Sequence, residues 1–295
     1  MANTVNFDAL TEYINNHRDE LFVKAAATAK TLDYIETMYN VKFKEELNYI
    51  DSQVVLQDGT SCAWNPQGSD TFGVRTIEVK PLTVNKEFCS KDMRKFWMNY
   101  LLAFEAGRET LPFEEKIAEA NLNAIKNALE VEIWQGGQTD GLLKLIKADA
   151  DATKVTRADG TSASAAIEGV YKALSSQMLA KGVNIFVAPE IFTSYVLEMN
   201  ESCCANKPIV DAAAGELVYL SDSRVKIVSL PGLAGSTDIV AATADALVYG
   251  TDIEGSEGVY KMIFDEKEDK FLFKVLFNAG EAVKLPWEVV YSVIG

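Results

Sequence analysis

Between residues 51 and 92 the chain reads as extended structure with too few apolar residues to enclose a core of its own. Val54-Val55-Leu56 is a short strand candidate, followed by Asp58-Gly59, a dipeptide suited to hairpin turns. Trp64-Asn65-Pro66-Gln67-Gly68-Ser69-Asp70 is a cluster of turn formers. The chain then returns through Val74-Arg75-Thr76-Ile77-Glu78-Val79-Lys80, where Ile77 and Val79 alternate with charges, and beyond Pro81 the apolar phase moves to Leu82 and Val84. A proline at a phase slip marks a bulge or an edge strand. Two legs of about 20 residues at ~3.3 Å per residue would each reach roughly 60 Å, and an isolated two-stranded ribbon is marginal in water. Such a segment needs a neighbour. Val54, Leu56, Asp58, Gly59, Trp64, Asn65, Pro66, Ile77 and Val79 are therefore the candidate residues for contact with another copy.

The flanking segments carry more conventional signals. Residues 7–36 are expected to be helical, with Asp8 placed to cap the start and Leu10, Tyr13, Ile14, Leu21 and Phe22 apolar, as an arm that packs on something else. Residues 93–105 are expected to form a helix with Phe96, Trp97, Tyr100, Leu101 and Phe104 on one side, closed by Gly107. A long helix then opens at Thr110, with Pro112 tolerated in its first turn and Glu114-Glu115 suited to its positive end. Ala118, Leu122, Ile125, Leu129 and Ile133 recur at spacings of four, three, four and four, and Gly136-Gly137 stops the stripe. Such a helix is roughly 35 Å long.

Residues 141–240 alternate element types. Residues 142–146 are a strand candidate, 149–162 a polar loop, and Ile167, Val170, Leu174 and Met178 mark a helix ended by Gly182. Ile185-Phe186-Val187 is a short buried strand, and Pro189-Glu190 starts a helix that turns Phe192, Tyr195, Val196 and Met199 inward. Val225-Lys226-Ile227-Val228 and Asp238-Ile239-Val240 are further strands, which makes this an α+β or α/β unit. Residues 259–264 and 271–277 read as a hairpin around a charged turn, and 283–293, interrupted by Pro286, as a third strand.

With 43 acidic against 28 basic residues the net charge is −15, which keeps a chain soluble and makes it a poor nonspecific binder of phosphate backbones. A sequence-reading DNA-binding protein usually carries a basic face, so that class is disfavoured. No signal peptide precedes residue 10, and no apolar run approaches the ~20 residues needed to cross a bilayer. Cys62, Cys89, Cys203 and Cys204 include no CxxC pair and read as reduced thiols in a cytosolic setting.

Chemistry is sparse. His17 is the single histidine, and it lies in the arm rather than beside a nucleophile or metal ligand. Cys203-Cys204 has no histidine near in sequence to act as base. The loop Gly250-Thr251-Asp252-Ile253-Glu254-Gly255-Ser256-Glu257-Gly258 lacks the Gly-Lys-Ser/Thr ending of a phosphate loop. Asp252, Glu254 and Glu257 could hold a hard cation, as could Asp149 and Asp151, but neither spacing fits an EF-hand. No residue is assigned a catalytic role, and no cofactor or metal is expected.

The order of elements carries more than any motif: an arm, an unsupported ribbon, a long helix, a mixed unit and closing strands. Leu111-Pro112 through Trp134-Gln135-Gly136-Gly137, then Val183-Asn184-Ile185-Phe186-Val187-Ala188-Pro189-Glu190-Ile191-Phe192, then Asp245-Ala246-Leu247-Val248-Tyr249-Gly250-Thr251-Asp252 with residues 271–280 and Leu285-Pro286, follow one another in series. This series, over roughly residues 45–295, resembles the major capsid proteins of tailed double-stranded-DNA phages, the Hong Kong 97-type fold. The resemblance implies an α+β chain with an N-terminal arm (1–50), an extended β-hairpin loop (51–92), a peripheral domain with the spine helix (93–140), an axial domain (141–250) and return strands of the peripheral domain (251–295). Ala118, Leu122, Ile125, Leu129 and Ile133 become the buried stripe of the spine helix.

It also implies a structural, non-enzymatic protein of the virion capsid, assembled in the bacterial host cytoplasm. Copies would form hexamers and pentamers of an icosahedral or prolate head, with portal, scaffolding and decoration proteins as partners. Packaged double-stranded DNA would be contacted only nonspecifically, and no membrane is involved. No long scaffolding segment has room before Asp51, so scaffolding would be a separate chain or absent. Some relatives join subunits through a lysine–asparagine bond promoted by a glutamate; Lys80 and Lys86 lie in the ribbon expected here, without an identifiable partner. Two alternatives stay open: an encapsulin-type compartment shell, and a cytosolic enzyme using Cys203 or Cys204 as nucleophile.

Overall fold

The apolar stripe builds helix α1 (Phe113–Gln135). Ala118, Ile125, Leu129, Ile133 and Trp134 are buried, and Leu122 is partly buried against the same cluster. The computed structural model describes residues 29–58, 66–89, 91–92, 95–96, 113–201, 210–211, 215–219, 222–252, 259–265 and 267–295. Helix α1 shares its core with a five-stranded sheet of β1 (Glu36–Tyr39), β11 (Leu247–Thr251), β13 (Lys270–Val283) and β12 (Val259–Asp265) in that order, with β4 (Lys80–Cys89) on the other side of β13. The two-residue period of β13 sends Phe271, Phe273, Val275, Phe277 and Ala279 into the helix-side core.

A seven-stranded sheet holds the second half. Its order is β5 (Thr153–Arg157), β14 (Val289–Ile294), β10 (Ile239–Ala242), β6 (Val183–Val187), β9 (Val225–Ser229), β8 (Glu216–Val218) and β7 (Val210–Asp211). One face packs on α3 (Ala163–Lys172), α4 (Ser176–Lys181) and α5 (Pro189–Glu201) through Ile167, Val170, Met178, Ile185, Tyr195 and Ile227. Phe186, Val228 and Val240, on the opposite phase, join the α1 core instead.

The remaining pair forms the ribbon. Strands β2 (Lys44–Val54) and β3 (Gly68–Glu78) pair antiparallel along their whole length, from Lys44 opposite Glu78 to Val54 opposite Gly68. Its root rests on the five-stranded sheet, where Val41, Leu47, Ile77 and Val79 are buried with Val248 and Ala282. The floor beneath them is two glycines paired across β11 and β13, Gly250 and Gly280. A Cβ on Gly280 would lie 2.1 Å from the Glu78 carbonyl oxygen, and one on Gly250 would lie 2.8 Å from Ile77 Cδ1. Close seating of the ribbon root requires both positions to lack a side chain.

Several expectations change. The ribbon starts before residue 51 and ends at Glu78; residues 80–89 form β4 and pair with β13 from Lys80 opposite Ala279 to Cys89 opposite Lys270. Pro81 marks this edge strand, as its phase slip implies. The arm helix expected over 7–36 falls outside the described residues up to 28; beyond them, Lys30–Asp33 is a 3₁₀ turn and Glu36–Tyr39 is β1. The helix expected over 93–105 lies almost entirely outside the described residues.

Residues 142–146, expected as a strand, belong to helix α2 (Leu142–Ala148), because Leu142, Leu143 and Ile146 share a buried helical face that so short a run cannot distinguish from a strand. The loop expected over 149–162 contains β5, a polar edge strand parallel to β14. The single helix expected over 167–178 is two, because the Ser175 hydroxyl accepts from Met178 N at 3.2 Å and starts α4. Residues 289–294 join the seven-stranded sheet between β5 and β10, because the Pro286 turn carries the chain away from the β12–β13 hairpin.

Candidate subunit interface

The ribbon has two unlike faces. Alternation along β2 and β3 puts Leu47, Tyr49 and Ile77 toward the body of the chain, and Asn48, Ile50, Ser52 and Val54 away from it with their partners Val74, Phe72, Asp70 and Gly68. The inward face is fastened at its root. Leu47 and Ile77 are buried, the Tyr49 ring meets Trp287 edge-on with centroids 5.0 Å apart, and Arg75 pairs with Asp149 and, at 3.5 Å, with Asp151.

The outward face is bare. Ile50 and Phe72 lie directly opposite each other, 68% and 75% exposed, with Val74 and Val54 continuing the same face. Val55 and Leu56 extend the apolar surface beyond the paired strands, and Leu56 is 94% exposed. Scattered apolar surface residues are ordinary, but a contiguous one-sided patch on a projecting ribbon marks a contact surface.

Beside the root, the outer phase of the five-stranded sheet offers a second exposed apolar surface. Leu272 and Ile263 are opposite each other in the β12–β13 register and both exposed. With Lys261, Lys274, Asn85 and Glu87 they line a shallow cleft of about 610 Å³. Lys270 at the edge of this face bridges Glu87 at 3.2 Å and Glu268 at 3.3 Å; these hydrogen bonds raise its pKa above the usual lysine range.

A buried polar knot ties the N-terminal entry to α1. The Glu130 carboxylate accepts from the Thr31 backbone N–H at 2.8 Å and from the Thr31 hydroxyl at 2.7 Å, and the Trp134 indole donates to Thr31 Oγ1 at 2.8 Å. Nothing in the spacing of these residues announces the knot, because its members are about a hundred residues apart.

Of the contact residues expected from sequence, Val54, Leu56, Asp58 and Pro66 are exposed. Gly59, Trp64 and Asn65 lie outside the described residues. Ile77 and Val79 are a correction: they are 0% and 5% exposed and are used up in their own subunit's core, which removes them from any surface a neighbour meets. Ile50, Phe72 and Val74 were missed, although the two-residue spacing of Phe72 and Val74, out of phase with Ile77 and Val79, was a readable sign of apolar residues on both faces.

Asp149 and Asp151 take the Arg75 guanidinium. Asp252 is buried, whereas Glu254 and Glu257 lie outside the described residues, as do His17, Cys62, Cys203 and Cys204. Lys80 pairs with Asp140 at 3.4 Å, and Lys86 donates to Asn121 Oδ1 at 3.3 Å within the same chain. Among the described residues, no three His, Cys, Asp or Glu groups converge to hold a metal ion, and no helix is long and apolar enough to cross a membrane.

Neither a protein-family model nor a curated protein sequence matches the chain. Solved structures do. A chain of the satellite phage P4 procapsid is similar over 97% of this chain and 91% of its own length, at 11% identity and a TM-score of 0.62. The virus-like particle from Pyrococcus furiosus is similar over 98% of this chain and all of its own, at 11% identity and a TM-score of 0.56. The capsid of an empty GTA particle is similar over 90% and 96%, at 13% identity and a TM-score of 0.55. The chain has the fold of phage capsid proteins. In a capsid fold shared at such low identity, what persists is the placement of layers, so the outward apolar residues of the ribbon have to be read from this chain alone.

Proposed function

We propose that the protein is a major capsid subunit that assembles with itself into hexamers and pentamers of a phage head around double-stranded DNA. The observation that carries this reading is the two-faced ribbon: its root is anchored by Leu47, Ile77 and the Arg75–Asp149 pair, while Ile50, Phe72, Val74 and Val54 face away from the subunit. Laid across an adjacent copy, that face finds cover. The receiving surface would be the outer face of the five-stranded sheet, where Leu272 and Ile263 are exposed for apolar contact and Lys261 and Lys274 carry charge complementary to Glu46 and Asp70 on the outward phase of the ribbon. Head-to-tail contacts of this kind close into rings, and modest contacts summed over many neighbours make a durable shell.

In this reading α1 with the five-stranded sheet is the peripheral domain and the seven-stranded sheet with its helices the axial domain. Portal and scaffolding proteins would be the other partners, and decoration proteins where the outer surface offers a site. The charge of −15 suits a container wall along which packed DNA slides without adhering; tight binding of duplex DNA by empty shells at physiological salt would count against it. A compartment shell enclosing a protein cargo is the second reading, since a likeness of fold that extends to a virus-like particle from Pyrococcus furiosus does not distinguish what a shell would contain. Electron microscopy of the purified chain tests the shared claim: closed shells, tubes or capsomer rings are expected, and a strictly monomeric population at high concentration would overturn it. Copurifying nucleic acid or protein inside the shells then separates the two readings.

A further inference from the structure

The outer phase of β13 is only half covered. Near its end, Gly280 and Ala282 lie under the subunit's own ribbon root. Toward its start the same phase is open and falls into rows with β12: Lys270 opposite Asp265, Leu272 opposite Ile263, Lys274 opposite Lys261 and Leu276 opposite Val259. In the third row two exposed lysines stand directly opposite each other, a like-charge pairing that costs a sheet stability. Neither has an acid partner among the described residues. Glu87, the carboxylate that shares their cleft, is taken by Lys270 at 3.2 Å.

The outward phase of the ribbon carries the complementary order. Ile50 opposite Phe72 forms an apolar row, the next row toward the tip is Ser52 opposite Asp70, and the next is Val54 opposite Gly68. The Ser52 hydroxyl donates to Asp70 Oδ1 at 2.5 Å and holds the carboxylate in its row, and Asp70 has no cation partner among the described residues. Successive rows are ~6.8 Å apart on both surfaces, and paired side chains stand about 5 Å apart within them. The ribbon therefore reads apolar, acidic, apolar, and the sheet reads apolar, basic, apolar, at one spacing. With the strands aligned, Asp70 on the lysine row brings apolar rows together on both sides, whichever way the ribbon points. Glu46, the other acid on this phase before the apolar row, is flanked by Lys44–Glu78 and Asn48–Val74, so seating it on the lysines would bring a polar row onto Leu272.

We infer that Asp70 of one copy enters between Lys261 and Lys274 of the next, and that this contact sets the register in which the ribbon lies on its neighbour. The inference rests on the reading of the ribbon as a contact between copies and adds which residues meet. Apolar rows attract in any register that overlaps them, so they do not choose among registers. The seating of Asp70 does, because it relieves the facing like charges while keeping both apolar rows covered. Its effect is on the choice of register more than on the strength of the contact, since an exposed ion pair contributes little by itself.

Carbodiimide treatment, which joins a carboxylate and an amine in contact as an amide, tests the pairing on the unaltered full-length protein. Peptide mass spectrometry is expected to find Asp70 joined to Lys261 or Lys274 in assembled material and not in the dilute unassembled chain, while the internal Glu87–Lys270 link appears in both. Assembled particles that form the internal link but leave Asp70 unjoined, or that join these lysines to Glu46 or another carboxylate, would overturn the pairing and leave the shell reading standing. A wild type that never assembles would overturn both. Charge exchange is the second arm. Asp70→Lys should raise the assembly concentration about tenfold, as should Lys261→Glu with Lys274→Glu, and the three changes together should recover most of the loss. Glu46→Lys should shift it by about twofold or less. No recovery in a triple variant whose thermal unfolding matches the wild type would also overturn the pairing.

Discussion

Replacing Phe72 by serine separates what the ribbon does for its own subunit from what it does for a neighbour. A phenylalanine side chain presents about 200 Å², and Phe72 is 75% exposed, so about 150 Å² remains to be covered by another copy. At ~20 cal/mol per Å², the lower end of the usual range, that cover is worth about 3 kcal/mol per contact, roughly a hundredfold in its equilibrium constant. In the proposed closed ring each subunit would give one ribbon and receive one, so the concentration at which Phe72→Ser assembles should rise by about two orders of magnitude. Within the isolated subunit the change loses only the cross-strand pairing with Ile50, about 0.2–1 kcal/mol, and the thermal midpoint should move by about 2 °C or less. Light scattering over a dilution series with electron microscopy of the endpoints gives the first quantity, and calorimetry of the unassembled chain the second. Assembly at the wild-type concentration would refute the reasoning, and so would a large fall in the thermal midpoint, which would mean that the ring is buried in its own subunit.

Three further outcomes follow from the same packing. Thr31→Val should cost about 2–4 kcal/mol in urea unfolding, because it removes the hydroxyl donor to Glu130 Oε2 and the acceptor of the Trp134 indole N–H, leaving the carboxylate only the backbone N–H of residue 31, whereas Thr31→Ser should recover most of the loss. Gly73→Val should loosen the ribbon root by about 1–3 kcal/mol, since a Cβ there lies 2.1 Å from Tyr49 Cζ, and the loss should shrink in a Tyr49→Ala background. Glu281 is raised from 4.5 to about 8 in the folded chain, so its folded form holds the proton that the unfolded form loses first. Stability is therefore undiminished below about 4.5, declines by ~1.4 kcal/mol per pH unit up to about 8 and is flat beyond; Glu281→Gln should remove that slope and be more stable by about 3 kcal/mol at pH 7 in denaturant titrations.

What could be read in advance was whatever has a period. The α1 stripe shows plainly because Ala118, Leu122, Ile125, Leu129 and Ile133 repeat at helical spacing against one continuous core. The strand at 183–187 was equally legible as a short apolar run before a proline-initiated helix. Residues 142–146 were not, because so short a run, with four apolar positions in five, satisfies both periods. The ribbon was legible as an element but misplaced by several residues at its start. Lys44-Glu45-Glu46 looks like solvated coil until it is paired with Thr76-Ile77-Glu78, and that pairing lies about 30 residues away. The assignment of Ile77 and Val79 to the outside failed for a related reason: alternation says which residues share a face but not which face looks inward. That is decided by Gly250 and Gly280, far along the chain, whose missing side chains make room for the root.

The same arrangement would let so acidic a chain associate with itself as proposed. Copies carrying −15 each repel one another at long range, so attraction has to be local, apolar and held in a fixed direction. A free loop bearing Ile50 and Phe72 would lose much of its contact energy to ordering on binding. The anchored root lowers that cost in advance: Leu47, Ile77, the Tyr49–Trp287 contact and the Arg75–Asp149 pair fix the direction in which the strands project before a neighbour arrives. Root and tip therefore have opposite requirements, one a tight inward seat and the other an uncovered outward face. The break in alternation between Val74 and Ile77 is where the chain passes from one requirement to the other.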